Sequence, residues 1–185
     1  MADPIGVKAY SVVDGIEAAQ NAAEITEVIE RVRRTLPPVK RFMEVGVLHG
    51  GSAIRYAHAL CAPDATVLLC DIDLPRFQKA ARILKDTGYE VHCLHAGPET
   101  VAQVHDILTG APLDLLHIDA NHEYPYVKAD WLTYSPLVRP GGVVLLHDVC
   151  GKEGVIQFWA ELKKTQPRTE TVRISNGPGI GIVWT

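Results

Sequence analysis

The chain has 185 residues, 47% of them hydrophobic and 22% charged, which suffices for one ordinary core and resembles neither a disordered nor a fibrous composition. The formal net charge of -4, with Lys and Arg scattered along the sequence, gives no basic footprint, so no nucleic-acid partner is expected. No apolar run approaches the ~18 residues of a membrane span, and the opening "MADPIGVKAY" lacks the basic and apolar stretches of a secretion signal; no membrane partner is expected either.

In chain order, Ile25, Val28, Ile29 and Val32 fall at helical spacing in "EITEVIERVRRTLPP", which predicts a leading amphipathic helix stopped by Pro37 and Pro38. After it, short apolar runs alternate with helical patterns. "RFMEVGV" precedes "GSAIRYAHAL", "TVLLCDI" precedes "PRFQKAARILKDTG", and "YEVHCLHA" precedes "ETVAQVHDIL". "LDLLHID" then precedes "YVKADWLTYSPLV", and "GGVVLLHDV" precedes "GVIQFWAELKK", before the closing pair "TETVRIS" and "GIGIVWT". This is the alternation of an α/β fold ending in a strand pair. "TVLLC" and "VVLL" are apolar throughout, as expected for a mostly parallel sheet covered by helices on both faces. "NGPG" at 176–179 reads as the turn of a C-terminal antiparallel hairpin. No linker or repeat divides the sequence, so a single domain is expected, with residues 1–38 leading into an α/β core at 39–185. Cys61, Cys70, Cys93 and Cys150 form no C-x-x-C pair and lie in or beside apolar runs. They read as core thiols in a reducing, cytoplasmic setting.

Ligands of such sheets bind where the strands end at their carboxyl edge. The first core strand runs into "MEVGVLHGGSAIRYA", a glycine-rich turn that opens a helix with Ser52 as its first residue or cap. Gly46 and Gly50 would let a ligand approach the backbone, and the free N–H groups of the helix start favour an anion. The spacing matches neither G-x-G-x-x-G nor a Walker loop. The second strand ends in Asp71, where a carboxylate can accept both hydroxyls of a ribose; Asp73, beyond the strand end, reads equally as a helix cap. The turn and the acid together predict a nucleoside ligand. Asp119 ends the fourth strand and Asp148 the fifth; if those strands are neighbours, about 4.8 Å apart, both carboxylates enter one crevice. They would repel unless a cation or a proton sits between them.

These stretches, with "LDLLHIDANHEYPYVKADW" and "LVRPGGVVLLHDV", resemble the class I S-adenosylmethionine-dependent methyltransferases. Within them, the chain is similar to the small O-methyltransferases of the catechol type and to a bacterial family with an E-x-G-x-x-x-G-x-S loop and an H-D strand ending, over roughly residues 41–150. The resemblance implies a Rossmann-like doubly wound sheet and methylation of a small hydroxylated acceptor. Glu44, Gly46, Gly50 and Ser52 would line the methionine part of the cofactor, and Asp71 would hold its ribose. Pro98 stands where relatives often carry a polar residue, which leaves Glu99 as the adenine partner. Catechol-type relatives place a divalent cation, usually Mg²⁺, at the positions of Asp119 and Asp148. Their third ligand follows directly after the second acid, where this chain has Val149. His122, His147 or Asn121 could substitute, and imidazole suits Zn²⁺, Mn²⁺ or Fe²⁺ better than Mg²⁺.

His122 lies three residues after Asp119, at the place of the catalytic base in those relatives; its other reading is a surface cap of the next helix. His147, adjacent to Asp148, should face the opposite side of the sheet by strand alternation, and packing is the expectation for it. His49 is expected in solvent, and His58 with Cys61 in the core. Tyr124, Tyr126 and Trp131 could wall an acceptor but at helical spacing read first as packing, as do Val155, Phe158, Trp159 and Leu162. Two other functions fit parts of the pattern. "DANHE" suggests a metal-dependent hydrolase, which lacks the second metal-binding run it would need; Pro98 and Val149 suggest a nucleoside-binding module without catalysis. Few insertions are left to cover the site, so an open crevice or a lid lent by a second subunit of a homo-oligomer is expected.

Overall fold

The computed structural model describes residues 11–13, 15–18 and 20–185. Two short strands, β1 (Ser11–Val13) and β2 (Ile16–Ala18), pair antiparallel ahead of helix α1 (Ala22–Arg33). Sequence reading placed only a helix in this leading segment. Asn21 caps α1 by accepting the N–H groups of Ala23 and Glu24, which satisfies two donors a helix start leaves open. Ile25, Val28 and Val32 are buried on its inner face. The helix ends at Arg33, short of Pro37 and Pro38.

The core alternates as the sequence predicts: β3 (Val39–Val45), α2 (Gly51–Leu60), β4 (Cys61–Asp71), α3 (Gln78–Asp86), β5 (Glu90–His95), α4 (Thr100–Ile107), β6 (Leu113–Ile118), α5 (Tyr124–Tyr134), β7 (Val138–His147), α6 (Glu153–Thr165), β8 (Arg168–Val172) and β9 (Ile180–Trp184). These strands form one seven-stranded sheet in the order β5-β4-β3-β6-β7-β9-β8. Pairings from β5 to β7 are parallel, whereas β9 inserts antiparallel between β7 and β8. Every residue of β6 and β9 is buried, as both-faced coverage by helices requires. Phe42, Leu115 and Leu145 pack toward α1 and α2, while Met43, Leu116 and Leu146 join Trp131, Phe158 and Trp159 on the other face.

Strand order reverses between β3 and β6, so a crevice opens outside their carboxyl ends. At the opposite end of β6, Asp114 is buried and accepts the N–H groups of Lys40 and Arg41 at 3.0 Å each and Arg139 Nε at 2.7 Å. It pins β3, β6 and β7 together.

Candidate active site

One wall of the crevice is the loop between β3 and α2. Gly46 and Gly50 adopt φ of 84° and 85°, a region that an L residue enters only with strain. A Cβ on Gly46 would stand 2.3 Å from the carbonyl oxygen of Asp119, and one on Gly50 would stand 2.4 Å from the Ala80 methyl. These glycines therefore admit the chain's own neighbours, β6 and α3, at the positions sequence reading reserved for a ligand. Gly50 is the N-cap of α2 and offers no side chain to its first N–H groups, which stay available to an anion. Asp71 ends β4 and ties the loop down: Oδ2 accepts the Leu48 N–H and Oδ1 the Asp73 N–H, both at 3.0 Å. Each of its oxygens keeps further acceptor capacity.

Beneath the loop lies a fully buried polar group. Ser52 Oγ donates to Glu44 Oε1 at 2.6 Å, and Glu44 Oε2 stands 3.3 Å from Nδ1 of His117, its register partner on β6. The Tyr56 ring meets the His117 ring edge-on at 5.1 Å, and burial, followed by the charge of Glu44, pushes the Tyr56 hydroxyl well above its usual pKa. Glu44, fully buried, and Ser52, almost so, thus brace the loop from below.

The second wall gathers two acids and two imidazoles. Asp119 Oδ1 lies 3.1 Å from His147 Nδ1 and 3.4 Å from His122 Nε2, and Asp148 Oδ2 lies 3.0 Å from His122 Nε2 and 3.6 Å from His147 Nδ1. Alternation along β7 would separate His147 from Asp148, yet β7 ends at His147, and Asp148 turns back with φ of 62°. Aspartate tolerates that conformation better than most residues, and the turn closes with Gly151 and Lys152 N–H groups on the Asp148 carbonyl. Burial alone would raise the pKa of both acids and lower that of His147. The ion pairing outweighs burial: Asp119 and Asp148 fall well below the usual carboxylate range, the former held chiefly by the charge of His147 and the latter by its hydrogen bond to His122. Hydrogen bonds to Asp119 and Asp148 raise His122 to about 9, and the charge of Asp119 leads the rise of His147 to about 10. The quartet is charge-neutral when both imidazoles are protonated. Gln20, just before α1, closes it by donating Nε2 to Asp119 Oδ2.

A family model described as a methyltransferase domain matches residues 43–149, more than half of the chain. The chain belongs to that methyltransferase family. Among solved structures, the chain is similar to the O-methyltransferase TomG from Streptomyces achromogenes, involved in tomaymycin synthesis and solved with S-adenosylmethionine. They share 20% identity and a TM-score of 0.69, covering 95% of this chain and 82% of that one. It is also similar to an O-methyltransferase from Bacillus cereus solved with S-adenosylhomocysteine, at 19% identity and a TM-score of 0.62 over 96% of this chain and 84% of that one. At such identities the likeness establishes the Rossmann-like fold. "Uncharacterized protein y4gI" of Sinorhizobium fredii (strain NBRC 101917 / NGR234) is 29% identical over an alignment of 140 positions that covers 69% of this chain. The chain spans only 15% of the length of that curated relative. Family and fold together bear out the class I resemblance, and the hydrolase alternative falls away.

The crevice brings together Asp119, His122 and Asp148, whose ligand atoms lie within 4.8 Å of one another. Of the alternatives for a third metal ligand, His122 and His147 reach the acids, whereas the Asn121 side chain turns outward to accept the Glu123 N–H. Ser52 is not the cap of α2. Glu99 is exposed at the N-cap of α4, and His49 is exposed in the glycine loop. His58 is exposed as well and stacks on Tyr89 at 6.2 Å, because the buried arc of α2 runs through Ala53, Tyr56, Ala57 and Leu60. Tyr124 and Trp131 pack edge-on against Phe158, in line with the packing reading, and Tyr126 is exposed. Cys70 is buried but Cys93 is exposed, contrary to a core role for all four thiols. Gln20 and the partnership of Glu44 with His117 were missed. The latter requires the β3–β6 register, and Gln20 stands in an irregular segment without a motif.

Proposed function

We propose that this methyltransferase transfers a methyl group from S-adenosylmethionine to a hydroxyl oxygen of a small acceptor, in the crevice between the glycine loop and the quartet. The observation that carries this reading is the meeting, at one switch point, of a nucleoside-type wall and a wall of two acids with two imidazoles. The residues fit the cofactor: Asp71 retains lone pairs for a ribose diol, the α2 start is uncapped, and Gln20 Oε1 is buried without a partner among the described residues. Bound there, S-adenosylmethionine would supply the electrophilic methyl of an in-line displacement. Gly46 and Gly50 shape the loop around it, Glu44 and Ser52 stiffen that loop from beneath, and Glu99 remains the adenine partner.

Asp119 and Asp148 orient the reacting end. His122 has 39% of its side-chain surface exposed against 6% for His147, so His122 is the imidazole an acceptor hydroxyl can reach and the proton acceptor of the reaction. The two carboxylates hold a proton on it at neutral pH, and neutralising them frees the ring for that role. The donors fit a divalent cation as an alternative arrangement: Asp119, Asp148 and His122 would hold it, His122 then serving as ligand and not as proton acceptor because it meets both carboxylates through Nε2, and two oxygens with a nitrogen favour Mn²⁺, Fe²⁺ or Zn²⁺ over Mg²⁺. Such a cation would lower the pKa of a coordinated acceptor hydroxyl. His147, deeper and paired with Asp119, fixes that carboxylate.

Mass spectrometry of S-adenosylhomocysteine release, with pooled hydroxylated acceptors and Mg²⁺, Mn²⁺ or EDTA, tests this reading. Release that depends on acceptor and on Asp119 is expected. Cofactor binding without release under any condition would leave a nucleoside-binding module. We further take the chain as a single domain, residues 1–38 leading into the core of 39–185. Its setting is read as cytoplasmic, supported by four free cysteines, with a homo-oligomer to cover the crevice. No helix among the described residues is long and apolar enough to cross a membrane.

A further inference from the structure

We infer that Gln20 is a ligand-reading residue, whose side-chain carbonyl accepts a hydrogen bond from the α-ammonium of the cofactor's amino-acid end while its amide nitrogen holds Asp119. This rests on the reading of the crevice as an S-adenosylmethionine site. Gln20 is only 6% exposed and packs against the loop of Val47 to Ser52 around a narrow cleft of about 10 Å³, room for about one water. Its orientation is set by chemistry: an ionised Asp119 can only accept, so the NH₂ group must face it and the oxygen must face elsewhere. That oxygen is buried and has no hydrogen-bond partner among the described residues, a state that native structures rarely leave unanswered.

Across the same cleft, the uncapped start of α2 offers N–H donors and a positive dipole end. One end of the cleft therefore suits an anion, and the other, with Gln20 Oε1 backed by the Asp119 carboxylate, suits a cation. A zwitterionic amino-acid head group has both. The cleft is smaller than an amino-acid head group, so binding requires Gln20 and the loop of Val47 to Ser52 to part. The Gln20 amide then spans from the cofactor to the quartet, so the leading segment places the methionyl end relative to Asp119.

A cycle of two proteins and two ligands tests this. Calorimetry compares the wild type and Gln20→Met, which keeps length and volume, binding S-adenosylhomocysteine and its analogue lacking the α-amino group. Removing the amine should weaken binding to the wild type about tenfold or more, and to the variant less than about threefold, because a hydrogen bond to a charged group is lost only where the amide exists. An equal penalty in both proteins overturns the inference, since a merely structural role for Gln20 affects both ligands alike. If Gln20→Met does not fold, Gln20→Leu replaces it, and a wild type indifferent to the amine overturns the inference without any variant. A wild type that binds neither ligand instead removes the cofactor reading itself.

Discussion

Each end of β6 carries an aspartate, buried at the amino end and half-buried at the carboxyl end, and the contrast between them separates architecture from chemistry. Asp114, at the amino end, is met by two backbone N–H groups and by Arg139, with Arg41 at 3.8 Å. Guanidinium does not lose its proton at any ordinary pH, so the arrangement is fixed. Asp119, five residues on and just past the carboxyl end of the strand, is met by two imidazoles and an amide. Imidazoles exchange protons near neutrality. The same residue type is held at both ends, but only the second set of partners can take part in a reaction or give way to a ligand.

Substitutions can break this contrast. The largest effect is expected for Asp119→Asn, which should lower turnover by about a thousandfold, an order typical of losing an electrostatic or proton-transfer group, while the variant still folds; acceptor-dependent product release and far-UV circular dichroism report the two sides. Gly46→Ala should cost about 3 kcal/mol, since it adds strain at a positive φ and a clash with the Asp119 backbone. Urea unfolding would measure that cost, and activity should fall along with it because Asp119 is displaced. Asp114→Ala should cost about 2 kcal/mol of stability, because the Lys40 and Arg41 N–H groups lose their acceptor, and leave turnover per folded molecule unchanged.

A smaller effect sharpens the comparison through pH. Asp114 is held below its usual pKa of 3.8 by Arg139 and the two N–H groups, against the opposing effect of burial. Its stabilisation is therefore present above about pH 4 and is lost as pH falls below that, with no loss on the alkaline side. The quartet behaves differently in cation-free protein. His122 and His147 are raised from 6.5 to about 9 and about 10, so their contribution is full below pH 6.5 and declines as pH rises through those values. The carboxylates lose theirs only in acid. Melting temperatures in EDTA should thus fall between pH 7 and 10 for the wild type, and less steeply for His147→Gln.

Much of the fold was legible because burial on both faces of a parallel sheet leaves unbroken apolar runs, and the register of β3, β6 and β7 then delivers the two acids to one crevice. The small ladder of β1 and β2 was overlooked although "VDGI" carries an Asp-Gly hairpin signal between apolar residues. His147 was assigned to the wrong side because alternation holds only within a strand, and Asp148 leaves β7 through a left-handed residue. Glu44 was read as a crevice residue, yet its position on β3 points it into the packing of α2, where Ser52 and His117 can reach it. Gly46 and Gly50 were found by pattern, but their reason is tertiary: they let β6 and α3 come close.

A crystal structure with S-adenosylhomocysteine would decide whether this crevice is the cofactor site. The ribose should lie on Asp71, the amino-acid end between the start of α2 and Gln20, and the sulfur should face the crevice beside Asp119 and His122. A nucleoside bound away from the β3–β6 switch point, or a sulfur turned from the quartet, would contradict that reading.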